Sequence, residues 1–81
     1  MRLVITKNFK RRFNLLPSKI KNRFLKIIEK LYDDPFIGIP LKGRLKGKRK
    51  IRVGKYRLIY MIDEDCVVLL DVGLRESIYK R

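Results

Sequence analysis

The sequence predicts an α+β fold in which a two-helix hairpin packs on a three- to four-stranded antiparallel sheet, in the order β-α-α-β-β-β. Apolar residues recur with a helical period in the first half of the chain and alternate with polar residues in the second half. The 81 residues are too few for a second domain, so a single domain is expected over residues 1–81. We therefore expect one thin core between a helical layer and a sheet.

Two helices are predicted in the first half. Residues 1–5 suit a short strand, and Thr6 is the type of residue that caps a helix. The helix that follows carries an apolar stripe of Phe9, Phe13 and Leu16. Pro17 and Ser18 break the chain and begin a second helix, which lasts until the sequence Asp33-Asp34-Pro35. We expect the three phenylalanines of this half, Phe9, Phe13 and Phe24, to lie in the core.

The second half predicts strands. Residues 36–49 contain glycine-spaced basic pieces and are expected to form a loop. Lys50 to Val53 alternates charged and apolar side chains, Gly54-Lys55 can turn, and Tyr56 to Ile62 is rich in β-forming residues. The acidic turn Asp63-Glu64-Asp65 leads into an apolar strand from Val67 to Val72, and a short extended tail follows. We expect Tyr56 and Tyr60 to pack in the sheet.

The charge is strongly basic and unevenly distributed. Lys and Arg number 22 against 8 acidic residues, for a net charge of +14. Nine basic residues and no acidic one lie between positions 42 and 57: Lys42, Arg44, Lys46, Lys48, Arg49, Lys50, Arg52, Lys55 and Arg57. Such a segment favours a polyanionic partner, nucleic acid first. The alternative is a solvated edge strand whose lysines discourage aggregation.

Several functional classes are excluded by composition. The chain has no His and one cysteine, so an internal disulfide, a zinc site and His-based acid–base chemistry are not expected. Cys66 is expected to be a small buried hydrophobe, and no metal or other cofactor is expected. No apolar run approaches the ~20 residues that cross a bilayer, and no signal peptide is evident, which favours a cytoplasmic protein.

Three motifs occur in order along the second half. They are Leu41-Lys42-Gly43, the stretch KIRVGKYRLIY from Lys50 to Tyr60, and Val72-Gly73-Leu74-Arg75 followed by Tyr79. Together with the element order, they make the chain resemble the RelE/ParE toxin superfamily. The resemblance implies a small toxin that a cognate antitoxin neutralises, and in the RelE branch an endonuclease that cuts mRNA in the ribosomal A site.

The resemblance also implies a set of catalytic residues. The positions that match the RelE pattern are Lys50, Arg52, Arg57, Arg75 and Tyr79. Arg52 stands where a Lys is common, and Leu74 stands where many members carry a basic group. The remaining basic residues of the segment are expected to bind nucleic acid: Lys42, Arg44, Lys46, Lys48, Arg49 and Lys55.

These residue types suit cleavage of RNA by its own 2′-hydroxyl, without a metal. Arginines can stabilise the charge that develops on the phosphate, and we assign that role to Arg57 and Arg75. Crowding by neighbouring cations disfavours the charged form of Lys50, which makes it the first candidate for proton transfer. Tyr79 is the second, although its ring could instead stack on a base. Arg57 could alternatively pair with Asp71, and Tyr79 could be a packing aromatic.

The expected partners are the ribosome, mRNA and an acidic antitoxin that covers the basic face with an amphipathic helix. Alone, the chain is expected to be a monomer. Two other functions remain open from the sequence. A ParE-like inhibitor of DNA gyrase is disfavoured because Lys50, Arg52 and Tyr79 occur together, and a non-catalytic RNA-binding relative would keep the basic strand for binding alone.

Overall fold

The computed structural model describes residues 1–75, and they form the predicted α+β fold. In chain order the elements are β1 (Arg2–Ile5), α1 (Lys7–Asn14), α2 (Ser18–Asp33), β2 (Ile39–Pro40), a short 3₁₀ turn (Gly43–Leu45), β3 (Lys48–Val53), β4 (Tyr56–Asp63) and β5 (Cys66–Leu74). The strands make one five-stranded sheet in the order β1-β5-β4-β3-β2. No helix within residues 1–75 is long and apolar enough to span a bilayer.

The sheet is larger than predicted and is mixed. Within the expected loop, β2 pairs antiparallel with β3 through Ile39 and Pro40. At the opposite edge, β1 runs parallel to β5, from Arg2 beside Cys66 to Ile5 beside Leu69. A two-residue strand is too short to show a period of two, and a pairing across more than 60 residues leaves no local signal in the sequence.

The core lies between the helices and one face of the sheet. Phe9, Phe24 and Leu31 supply the helical side, and Phe13 stacks on Phe9 with ring centroids 5.6 Å apart. The sheet contributes the buried side chains Val53, Leu58, Tyr60, Val67, Leu69 and Val72. The predicted core positions of the three phenylalanines, and the packing of the two tyrosines in the sheet, are thereby confirmed.

Helix α1 begins at the predicted cap. The backbone N–H of Phe9 donates to the Thr6 hydroxyl oxygen at 3.2 Å. The same hydroxyl donates to the carbonyl oxygen of Leu69 at 2.8 Å, which ties the start of the helix to β5. One threonine therefore both satisfies an orphan donor of the helix and fixes the helix on the sheet.

Alternation along β3 divides its side chains between the two faces of the sheet. Ile51 and Val53 pack toward the helices, as predicted. Lys50 and Arg52 consequently point to the other face, which we call the outer face. The fold thus separates an apolar face covered by helices from a face that carries cations.

Candidate functional site

The β3–β4 hairpin brings three of the predicted catalytic cations together on the outer face. Its register places Arg52 directly opposite Arg57, and Lys50 opposite Ile59. Residues directly opposite share a face with Cβ atoms about 4.5–5.5 Å apart, and diagonal neighbours lie about 7–8 Å apart. Arg57 is therefore an immediate neighbour of Arg52 and a diagonal neighbour of Lys50.

A fourth predicted cation reaches the same place from the end of β5. The backbone N–H of Arg75 donates to the carbonyl oxygen of Lys55 at 3.2 Å, which joins the end of β5 to the β3–β4 turn. A cleft of about 360 Å³ opens between them, lined by Gly54, Lys55, Arg57, Leu74 and Arg75. The turn can close this tightly because Gly54 adopts a φ of 59°, which favours glycine. Tyr79 lies outside the described residues.

Arg57 is the least solvated of these cations. The residue is only 6% exposed, and its buried Nε has no hydrogen-bond partner among residues 1–75. One Nη donates to the carbonyl oxygen of Gly54 at 3.5 Å, the outer limit for such a bond. Buried ions are normally paired, because an uncompensated charge away from water is costly. The wall of the cleft therefore presents a guanidinium that an anion would stabilise.

The alternative ion pair between Arg57 and Asp71 is wrong. The Asp71 carboxylate instead accepts a bond from Nε of Arg12 on α1, at 2.9 Å. Like charges directly opposite each other in a sheet destabilise it. The pairing of Arg52 with Arg57 thus opposes folding slightly unless an anion lies between them.

The other predicted binding residues divide into two groups. Lys48 extends the outer face of β3 opposite Met61, and Lys55 lines the cleft. Lys42, Arg44 and Lys46 are exposed around the 3₁₀ turn that precedes β3, and they do not line the cleft. They lie in the connection between β2 and β3, outside the cleft.

Arg49 is not brought to the outer face. It lies opposite Tyr60 and therefore points to the helical side, since neighbouring residues on a strand alternate. Its Nη1 donates to the carbonyl oxygens of Gly38 at 2.7 Å and Phe36 at 3.4 Å, and its guanidinium lies 5.1 Å from the centre of the Phe36 ring. Arg49 thus holds the segment before β2, a role that the alternation of β3 could have indicated.

Two groups with shifted pKa values lie away from the cleft. Burial raises the pKa of Tyr60, whose hydroxyl donates to the carbonyl oxygen of Pro35 at 2.7 Å and accepts from the N–H of Gly38 at 2.9 Å. Desolvation raises the pKa of the Cys66 thiol, and a contact with Asp65 at 3.5 Å adds to the effect. Cys66 is half-buried, less enclosed than predicted.

Arg12 was not among the functional residues that the sequence predicted. Its contact with Asp71 joins α1 to β5 across about 60 positions of the chain. Neither residue belongs to a motif with a chemical signature, so no signal in the sequence could have paired them.

Comparison with known proteins places this geometry in context. Residues 3–79 match a family model described as the ParE toxin of the type II toxin–antitoxin system parDE. Toxin RelG of Mycobacterium tuberculosis is 45% identical over 47 residues, which cover 56% of this chain and 54% of RelG, so the match spans about half of that relative.

Solved structures align over nearly the whole chain. The toxin–antitoxin complex RelBE2 from Mycobacterium tuberculosis has a TM-score of 0.80 and 32% identity, covering 91% of this chain and 96% of that one. The RelB–RelE antitoxin–toxin complex from Methanococcus jannaschii has a TM-score of 0.76 and 25% identity, covering 95% of each chain. The isolated RelE toxin of E. coli, at 22% identity and a TM-score of 0.79, shares the fold over 98% of this chain and 90% of that one.

Proposed function

We propose that this chain, which belongs to the RelE/ParE toxin family of type II toxin–antitoxin systems, is an endoribonuclease that cleaves mRNA in the ribosomal A site. The observation that carries the proposal is the buried guanidinium of Arg57, which lies in a cleft beside Arg75 and directly opposite Arg52, and whose Nε has no partner in the part of the chain that the structure describes. Arg57 and Arg75 line the cleft and Arg52 is paired with Arg57. Guanidinium groups suit a phosphate, because each offers forked donors to its oxygens.

The reaction needs no nucleophile from the protein. The 2′-oxygen of the ribose loses its proton and bonds to the neighbouring phosphorus, while the bond from phosphorus to the 5′-oxygen breaks and that oxygen takes up a proton. Arg57, Arg52 and Arg75 would stabilise the negative charge that develops on the phosphate oxygens. Lys50 is the first candidate for proton transfer and Tyr79 the second. The products are a 2′,3′-cyclic phosphate and a 5′-hydroxyl.

The ribosome would supply what this small site lacks. The chain contains no His, and its arginines stay charged at any relevant pH, so the acid–base contribution is weak. Holding the substrate in line can lower a barrier by about 7–11 kcal/mol in favourable cases. If the decoding centre orients the codon, the toxin needs only to stabilise charge. We therefore expect little cleavage of free RNA.

An acidic antitoxin is the partner that the charge pattern suits. The relatives from Mycobacterium tuberculosis and Methanococcus jannaschii were solved as toxin–antitoxin complexes. A helix with acidic side chains over the outer face would pair with Lys50 and Arg52 and close the cleft to RNA. Neutralisation would then follow from occupation of the site.

The test uses purified toxin with ribosomes stalled on a defined mRNA. Cuts should map within the A-site codon and should disappear in Arg57→Gln, which removes the buried positive charge from the wall of the cleft. Arg23→Gln is the matched control, because it removes an exposed cation from α2, far along the chain from the hairpin. Equal cleavage by the two variants, or efficient cutting of free RNA, would contradict the proposal.

A second candidate function is inhibition of DNA gyrase, favoured by the ParE description of the matching family model. Induced expression separates the two. Gyrase poisoning predicts DNA damage and inhibited supercoiling without mRNA cuts, whereas the proposed activity predicts codon-position cuts without DNA damage. A non-catalytic RNA-binding relative would produce neither mRNA cuts nor DNA damage, and its expression would not slow growth.

A further inference from the structure

The pairing of β4 with β5 changes register once. Tyr60 pairs with Leu69, but its neighbour Ile59 pairs with Asp71. Leu70 is therefore an extra residue in β5, which makes a β-bulge. Bulges of this kind redirect the side chains that follow them.

The bulge decides which residue of β5 lies across from Arg57. In the observed register that residue is Gly73, which has no side chain, and Val72 is fully buried in the core. Without the extra residue, Arg57 would face Val72 instead, because a one-residue slip moves every side chain to the other face. Val72 would then project beside Arg57, and the Asp71 carboxylate would turn into the core. The cleft therefore depends on this register.

An ion pair that is mostly buried lies at the bulge. Asp71 is 8% exposed, and its Oδ1 accepts bonds from Nε of Arg12 at 2.9 Å and from the backbone N–H of Val72 at 2.8 Å. Nε of Arg12 also donates to the carbonyl oxygen of Val72 at 2.9 Å. Buried ion pairs add little net stability, because desolvation offsets their attraction, and their best-attested use is to select one register.

Other side chains from the start of α1 bind the same edge of β5, but without selectivity. The Thr6 hydroxyl donates to the carbonyl oxygen of Leu69, and Nδ2 of Asn8 donates to that of Leu70 at 2.9 Å. A carbonyl oxygen is present at every residue, so these bonds could form in a slipped strand as well. A carboxylate is present at Asp71 alone along β5, so its bond to Arg12 exists in one register.

We propose that Arg12 and Asp71 form a register lock, a pair of positioning residues that hold the bulge and thereby keep the cleft beside Arg57 open. Neither residue lines the cleft. They affect the cleft indirectly, because they fix the positions of Gly73 in β5 and of Arg75 directly after β5. The effect on cleavage rests on the proposed function, whereas the effect on register does not.

The test removes both charges together. Arg12→Met with Asp71→Leu replaces the pair by apolar side chains of similar size, so the fold should persist. Arg11→Met is the matched control, since Arg11 lies beside Arg12 on α1 but is exposed and donates only to Asn8 among the bonds described, at 3.1 Å. Asp71→Asn is a milder variant that keeps the acceptor for the Val72 N–H.

Two measurements, NMR contacts and cleavage kinetics, test the register lock. NMR contacts between backbone protons of Arg57 and Gly73 should persist in Arg11→Met, and they should weaken or be replaced by contacts from Arg57 to Val72 in the double variant and in Asp71→Asn. On programmed ribosomes kcat should fall about 10- to 100-fold with KM little changed, because the reacting groups are misplaced.

Persistence of the contact between Arg57 and Gly73 in both variants would overturn the register lock. A changed register with unchanged kcat would overturn its positioning role. If the unmodified chain cleaves no mRNA, the proposed function fails, and the NMR contacts alone still decide whether Arg12 and Asp71 hold the register.

Discussion

Replacing Arg57 by methionine should stabilise the fold while it removes the activity. The change takes away a buried guanidinium whose Nε has no partner within residues 1–75, and it keeps most of the aliphatic packing of the side chain. Residues selected for function often oppose stability in this way. The prediction follows directly from the geometry of the cleft.

The surroundings of Arg57 set limits on how much Arg57→Met changes the free energy of unfolding. An unpaired buried ion costs several kcal/mol in a fully enclosed site. Here the cleft admits solvent on one side, and Gly54 offers a weak acceptor at 3.5 Å, so most of that cost is relieved. We expect Arg57→Met to raise the free energy of unfolding by about 1–2 kcal/mol. For a domain of this size, each kcal/mol corresponds to about 4–8 °C in Tm.

The same substitution at a paired arginine should have the opposite effect. Arg12→Met leaves the buried Asp71 carboxylate without the 2.9 Å bond that it now accepts from Arg12. We expect a loss of about 2–4 kcal/mol, because the remaining charge stays buried. Two Arg→Met variants of one protein should therefore differ in the sign of their effect.

Urea unfolding followed by circular dichroism measures both variants. Phosphate should stabilise the unmodified chain more than Arg57→Met, and chloride at the same ionic strength serves as the control for screening. Destabilisation of Arg57→Met by more than about 1 kcal/mol, or equal stabilisation of both proteins by phosphate, would show that the Arg57 guanidinium is already compensated. The cleft would then not be an anion site.

Three further predictions concern the scaffold, and urea unfolding checks each. Gly38→Ala should cost about 1–3 kcal/mol, because its Cβ would lie 2.6 Å from the Tyr60 ring; an unchanged midpoint would contradict this. Burial raises the pKa of Tyr60, so stability should be full below the pKa of a free tyrosine, near 10, and fall as the pH rises above it. Tyr60→Phe should lose less stability over that pH range than the unmodified chain. Equal losses in the two proteins would show that Tyr60 does not cause the pH dependence. Thr6→Val should cost about 1–2 kcal/mol, because it removes the cap of α1 and the bond to Leu69, and a neutral effect would argue against that dual role.

Local patterns were sufficient for the helices and for the hairpin that carries the cations. The cap at Thr6 and the stripe from Phe9 to Leu16 depend on neighbours three and four residues away, and the structure confirms them. Once the Gly54-Lys55 turn is placed, the alternation of β3 and β4 leads to Arg52 opposite Arg57. The same alternation also excludes Arg49 from that face, which the density of positive charge obscured.

Contacts between distant parts of the chain could not be predicted from local sequence patterns. The parallel pairing of β1 with β5 and the bond from Arg12 to Asp71 join residues about 60 positions apart, and the bulge at Leu70 lies next to Asp71. Their formation depends on which sheet edge remains unpaired once the hairpins have formed, and no window of sequence contains that information.

The sequence by itself determined the helices that bury the aromatic residues and the strand pair that aligns Lys50, Arg52 and Arg57. Helices and strands show repeats of 3.6 and 2 residues, and such repeats are visible among a few neighbouring residues. Packing decided three further features: the arrival of Arg75 at the cleft, the position of Gly73 across from Arg57 on β5, and the burial of the Arg57 Nε without a partner among the described residues. Register and burial belong to the assembled sheet, since each depends on atoms that chain connectivity alone does not bring together.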